Sequence, residues 1–353
     1  MSDNPYADAP GYRRWRQAVA QTPASDVDPV IKLPFTIAPA DRIVSAGSCF
    51  AQHIARHLLQ NGFNYLITET AHPILSAEVA ESFGYGLYSA RYGNIYTARQ
   101  LLQLFQRVYG RYCPRDDVWE DNGRYYDPYR PAIQPGGFAT LQEFELDRRQ
   151  HFAAVRAAFE TMDVFVFTLG LTECWVSVED GAVYPMCPGT IAGRFDPARH
   201  AFVNLSVAEV AADMRAFVTE IRTINPNLKV VVTVSPVPLA ATAEDRHVLV
   251  STTYSKSVLR VAAEQICEMP NVTYFPSYEI VTGSFSRGRY FGDDLRAVTE
   301  DGVDHVMRLF FRHLAPGGGE PEASAAPAGD DYLEHMGAVV AAICEEERLD
   351  SAE

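Results

Sequence analysis

The sequence has little of what marks most metal, nucleotide, nucleic-acid or membrane proteins. Its 353 residues contain no run of about 18 apolar positions, so no transmembrane helix is expected. The opening stretch, MSDNPYADAPGYRRWRQ, has no apolar core of the kind a secretory signal carries, and the expected location is the cytoplasm. Positive charge is scarce: 30 Lys and Arg stand against 45 Asp and Glu, a formal net charge of −15. Without a basic stripe to displace counterions from phosphates, nucleic acid is not expected as a partner. The six cysteines (Cys49, Cys113, Cys174, Cys187, Cys267 and Cys344) form neither a CxxC pair nor a zinc-like cluster. In a reducing compartment they are expected as free thiols, most of them small buried side chains. HExxH, P-loop and GxGxxG signatures are missing as well, so no metal and no tightly held cofactor is expected.

What is present is an alternation of short apolar runs and longer helical patterns. Residues 1–40 read as an irregular, proline-punctuated arm. RIVSA (Arg42–Ala46) reads as a buried strand and Phe50–Gln60 as a helix, with Phe50, Ile54, Leu58 and Leu59 near helical spacing. NYLIT (Asn64–Thr68) is a second strand candidate. Ala98–Tyr109 and Phe144–Thr161 read as helices, and the latter leads into the apolar strand DVFVFTLG. WVSVEDGAVYP (Trp175–Pro185) alternates around Asp180-Gly181, a hairpin signal. Ser206 and Glu209 form a capping box ahead of a helix to Ile224. KVVVTVSPVP (Lys229–Pro238) is a further strand, Tyr254–Glu268 a helix, VTYFPSYEIV begins with a strand, and Thr299–Leu314 is a helix. Pro316–Asp330 is a low-complexity linker, and Tyr332–Arg348 a detached amphipathic helix that could dock back or bind a protein partner.

Short buried strands alternating with helices imply an α/β fold around a mainly parallel sheet covered on both faces. The clearest strands end in polar or small residues: GSC, GLTE and SPVP. Ligands of open α/β sheets bind beyond the carboxyl ends of the strands, so these ends should meet at one site. At the first of them Ser48 and Cys49 stand side by side where a helix begins. The unpaired N–H groups and dipole of a helix start depress a thiol's pKa and offer an oxyanion donor. The alternative is that Ser48 is an N-cap and Cys49 a buried filler.

GSCFA (Gly47–Ala51), with TLGLTE and SPVPL later in the chain, resembles the name-giving motif and order of the GSCFA family, which looks like a branch of the SGNH/GDSL hydrolases. The resemblance covers roughly Arg42–Leu314. It implies a three-layer αβα, flavodoxin-like (SGNH-like) fold. The chain would carry a helical insertion at about 85–148 and a small β-hairpin insertion. It also implies acyl-ester or acyl-transfer chemistry, often around polysaccharides. By that resemblance Gly47 takes the superfamily glycine, Ser48 the aspartate and Cys49 the nucleophilic serine; a shift by one makes Ser48 the nucleophile. Gly93 corresponds to the oxyanion glycine, and Thr172, within Gly170–Glu173, to an oxyanion asparagine. Asp294 matches the aspartate of the last block, but the histidine expected three residues on is Ala297.

A serine without an imidazole is poorly activated, whereas a thiol suffers less. His247 and then His305 are the candidate substitutes; the rings of His53 and His57 should point away from the first turn. Arg91, Asn94, Glu173, Tyr254 and Lys256 are the candidate substrate-binding residues. The aromatic and arginine-rich stretches ARYGNIYTARQ and YYDPYRP suit a sugar or a phosphate-bearing carrier. The expected function is therefore an esterase or acyltransferase acting on a small molecule, carbohydrate or polysaccharide precursor. Its donor could be acyl-CoA. The other reading is a catalytically impaired binding or assembly protein in polysaccharide biosynthesis.

Overall fold

The computed structural model describes residue 4 and residues 6–316. The expected C-terminal helix, and the linker beyond Pro316, lie outside the described residues. The chain runs β1 (Ile43–Gly47), α1 (Cys49–Gln60), α2 (Ala77–Ser82), α3 (Ala98–Val108), β2 (Trp119–Asp121), β3 (Arg124–Tyr126) and α4 (Leu141–Thr161). It continues through β4 (Val164–Leu169), β5 (Glu173–Ser177), β6 (Val183–Tyr184), β7 (His200–Asn204), α5 (Val207–Ile221), β8 (Lys229–Val234), α6 (Val248–Ile266), β9 (Val272–Tyr274), α7 (Ser277–Thr282) and α8 (Glu300–His313).

The central sheet has the order β1-β4-β8-β9 with every pair parallel. Its strands are buried on both faces, and their side chains divide by the two-residue period of a strand. Val44, Ala46, Phe165, Phe167, Val230 and Val232 face a core built with α3, α4, α5 and α6. Ile43, Val164, Val166 and Val231 face a second core with α1, α7 and α8. The result is the three-layer αβα arrangement expected from the sequence. The NYLIT segment adds only a parallel bridge from Tyr65 to Ile43. With that bridge counted, the spatial order follows the 2-1-3-4-5 pattern of flavodoxin-like sheets, and the switch point falls between β1 and β4.

Helix starts follow their capping residues. Thr97, Thr140 and Thr299 accept N–H bonds at the starts of α3, α4 and α8, and Ser206 with Glu209 closes a full capping box at α5. The expected hairpin is present as β5 with β6, but β5 also pairs with β7, making a three-stranded antiparallel sheet. Within the insertion, β2 and β3 form a second hairpin around Asn122 and Gly123, both at positive φ. Buried ion pairs fasten the insertion. Arg91 and Arg130 share Asp147 at 2.7 and 2.8 Å, Arg130 also holds Asp127 at 2.9 Å, and His151 Nδ1 lies 2.8 Å from Glu69 Oε2.

The N-terminal arm contains short helical turns and then runs along α8. The Val27 carbonyl lies 3.0 Å from His305 Nε2, Asp28 lies 2.6 Å from His313 Nε2, and the Ile37 N–H donates to the Leu314 carbonyl at 2.6 Å.

Candidate functional site

The junction after β1 is shaped by Gly47, whose φ is +146°. A Cβ there would stand 2.7 Å from both the Thr168 side chain and the Thr168 carbonyl oxygen on the neighbouring strand, so only glycine fits. Ser48 follows in extended conformation at the N-cap position of α1, yet its side chain caps nothing. It is 5% exposed, and its Oγ has no hydrogen-bond partner among the described residues. Cys49 opens the helix; its side chain lies outside what the structure describes. The first-turn N–H groups and the α1 dipole therefore converge beside a buried hydroxyl.

Loops after the neighbouring strands close around this point. The Tyr96 carbonyl accepts from Gly170 N and Leu171 N, both at 3.0 Å, and Ile95 N donates to the Gly47 carbonyl at 2.9 Å. A Cβ on Gly170 would lie 3.5 Å from Ser48 Cβ and 3.2 Å from the Tyr96 oxygen, so the strand ends of β1 and β4 touch through a glycine. The Tyr88 hydroxyl bonds Asn94 Oδ1 at 2.7 Å and lies 3.3 Å from the Gly47 carbonyl, which places Asn94 at the site. Gly93, at φ +67° with open space around its Cα, forms the adjacent turn. Lys256 reaches in from α6 and donates to the Gly170 carbonyl at 2.7 Å. Tyr96, Leu171 and Leu239 form a small apolar wall, and Arg296 Nε donates to the Pro238 carbonyl at 3.3 Å beside it. The strand ends GSC, GLTE and SPVP thus meet, as their polarity suggested.

Other expected site residues have structural tasks. The Thr172 hydroxyl donates to Asn204 Oδ1 at 2.7 Å and its N–H to Ser255 Oγ at 3.2 Å, so neither donor is left for an oxyanion. Glu173 accepts from the Thr242 hydroxyl at 2.7 Å and the Ala243 N–H at 3.3 Å, and burial raises its pKa. Arg91 is spent on Asp147 and the Phe83 and Ile133 carbonyls inside the insertion. Tyr254 is part-exposed on α6 under the Arg246 guanidinium, 5.1 Å from the ring centre.

The base candidates are placed in the same way. His247 is exposed and caps α6, its Nδ1 accepting from Leu249 N at 3.2 Å. His305 is buried with both ring nitrogens engaged. The Val27 carbonyl only accepts, so Nε2 carries the proton and Nδ1 accepts from the Tyr290 hydroxyl at 2.8 Å. Burial lowers its pKa, which suits a neutral ring. Asp294 accepts from the backbone of Arg296 and Ala297, both at 3.0 Å, and so shapes its own turn.

The sequence reading passed over Tyr96, Ser255, Asn204 and Arg296. Arg296 lies between Asp294 and Ala297, and Ser255 in the polar stretch TTYSKS at the expected start of a helix; Asn204 had no local signal, since only the pairing of β5 with β7 brings it in. Away from the strand ends, His57, Glu300 and Asp304 bring one possible metal-ligand atom each to within 4.8 Å of one another, and Arg56 pairs with Glu300 there at 3.4 Å.

Three comparisons bear on this arrangement. A model of the GSCFA family matches residues 42–310, well over half of the chain. No curated protein matches. No solved structure matches.

Proposed function

The chain belongs to the GSCFA family, and on that premise we propose that it is an SGNH-type acyl-ester hydrolase or acyltransferase acting on a carbohydrate or polysaccharide precursor. Cys49 is the attacking group in this reading. Its sulfur lone pair forms a bond to the acyl carbon, and the carbonyl electrons move onto oxygen. The first-turn N–H groups of α1 then face the developing oxyanion. Collapse expels the alcohol or thiol of the donor, which takes a proton from water. The acyl group passes afterwards to water or to an acceptor hydroxyl. The observation that carries the proposal is the buried Ser48 hydroxyl, without a partner among the described residues, at the β1–α1 junction against Gly170. A buried polar group left unsatisfied calls for an explanation, and the strand ends of an open α/β sheet are where ligands bind.

The test is intact-mass detection of an acyl adduct after exposure to activated acyl esters and acyl-CoA. The native chain and Ser48→Ala should gain the acyl mass and Cys49→Ala should not. An adduct lost only in Ser48→Ala transfers the nucleophile to the serine. Ala297 favours a second reading, a binding or assembly protein without turnover; no adduct in any form, with intact folding, supports it.

A further inference from the structure

A small cavity is lined by α3, by α4 and by Tyr92 and Ile95, the two residues that flank Gly93 and Asn94. We propose that it is a binding site for a single water molecule, which accepts a hydrogen bond from the Arg107 guanidinium and donates one to His151 Nε2. The inference does not depend on the acyl reading of the strand ends.

Two buried groups on the cavity wall have unmet hydrogen-bonding needs. Arg107, on α3, is 8% exposed, and its guanidinium lies 3.8 Å from the Tyr129 ring centre and 5.2 Å from that of Phe152. It makes no hydrogen bond and no ion pair among the described residues. A guanidinium keeps its charge, and stacking on rings leaves its in-plane N–H groups in want of an acceptor. His151, on α4, is 1% exposed, with Nδ1 2.8 Å from Glu69 Oε2 and Nε2 without a partner among the described residues. Glu69 also takes the Arg91 N–H at 2.7 Å and lies 3.7 Å from the Arg91 guanidinium, so it is a carboxylate. Burial lowers the His151 pKa and keeps the ring neutral. A neutral ring beside a carboxylate carries its proton on Nδ1, which leaves Nε2 a bare acceptor.

The other polar side chains on the wall are occupied. Arg130 donates to Asp127, Asp147 and the Arg91 carbonyl. Gln100 joins the Tyr96 N–H to the Asn94 carbonyl, and Gln103 joins the Val183 N–H to the Gly181 carbonyl. The Tyr92 and Tyr129 hydroxyls donate to the Ser45 and Asp116 carbonyls. One cationic donor and one neutral acceptor remain. A halide would answer the guanidinium but would meet the Nε2 lone pair with negative charge. A water answers both, since its oxygen accepts and its O–H donates. The space agrees: the cavity volume is about 20 Å³, room for one water and for no organic group. Buried waters hold such otherwise unsatisfied groups together, and this one joins α3 to α4 beneath the turn that carries Asn94 to the strand ends.

The test is a high-resolution crystal structure of the native protein, from crystals grown in chloride and in bromide. The expected result in both is a peak about 2.7–3.2 Å from an Arg107 nitrogen and from His151 Nε2, with no anomalous signal at the bromine edge. Ordered side chains around an empty cavity overturn the proposal, as does a direct bond between Arg107 and His151. An anomalous peak there overturns it too and makes the place a halide site. Nitrogen-15 spectra of the histidine rings give a second reading without a crystal, the His151 signals being those missing from His151→Gln. Near neutral pH the proton should sit on Nδ1; a ring protonated on Nε2 overturns the assignment of donor and acceptor.

Discussion

Gly47 shows how much a single position can decide. Its φ of +146° and the 2.7 Å approach to Thr168 leave no room for a methyl group, and the obstacle includes backbone on the central strand. Gly47→Ala is expected to cost about 2–4 kcal/mol in urea unfolding and to displace the start of α1. The glycine and the two side chains after it were legible in the sequence, because a glycine between a buried strand and a helix has few other uses. The role of Thr172 was not legible. Its hydroxyl is claimed by Asn204, a residue more than thirty positions away that arrives only when β5 and β7 pair. His247 misled for a related reason: a histidine above strand ends suggests a base, but here its ring caps α6.

Elements were easiest to read where both faces of a strand are buried, since β1, β4 and β8 are mostly apolar, interrupted only by Ser45, Thr168, Lys229 and Thr233. The β2–β3 hairpin went unread despite Asn122-Gly123, because only three residues on each side alternate. α6 begins at Val248, ahead of the expected Tyr254, and the exposed apolar Leu249 and Val250 blurred its first turn.

α1 and the buried Glu69–His151 pair carry an acid sensitivity. Burial lowers the His53 pKa to about 3 and also lowers that of His151. Burial pushes the Glu69 carboxyl up, but the hydrogen bond and charge of His151, with Arg130, more than offset this and hold it at about 2. All three groups bind fewer protons folded than unfolded, so stability rises with pH across their windows. The histidine contributions are present above the ordinary 6.5 and are lost as pH falls below it; Glu69 adds its loss between 4.5 and about 2. Urea midpoints should therefore drop from pH 7 toward pH 4, and His53→Gln and His151→Gln should each flatten part of that slope. A slope unchanged in both variants would assign the acid sensitivity to other groups.

Across the whole molecule, the parallel sheet and its two helical layers place every strand end that matters on one edge, and that much followed from alternation alone. What alternation does not show is how residues 27–37 lie against α8. Val27, Val30 and Ile37 are buried there, and His305, Arg312 and His313 hold the arm by side-chain contacts invisible to periodicity. A chain lacking residues 1–30 should lose about 3–5 kcal/mol in urea unfolding, the burial of two valines with their attendant hydrogen bonds. An unchanged midpoint would mean that the arm rests on the core without supporting it.

That strap sets a schedule for the newborn protein. Val27 leaves the ribosome 278 residues before His305, the ring that its carbonyl must meet. At ordinary rates of synthesis the interval is on the order of 15–60 s. Throughout it the Val27 carbonyl lacks the partner that α8 supplies, and a late helix is the one that lets the first segment settle.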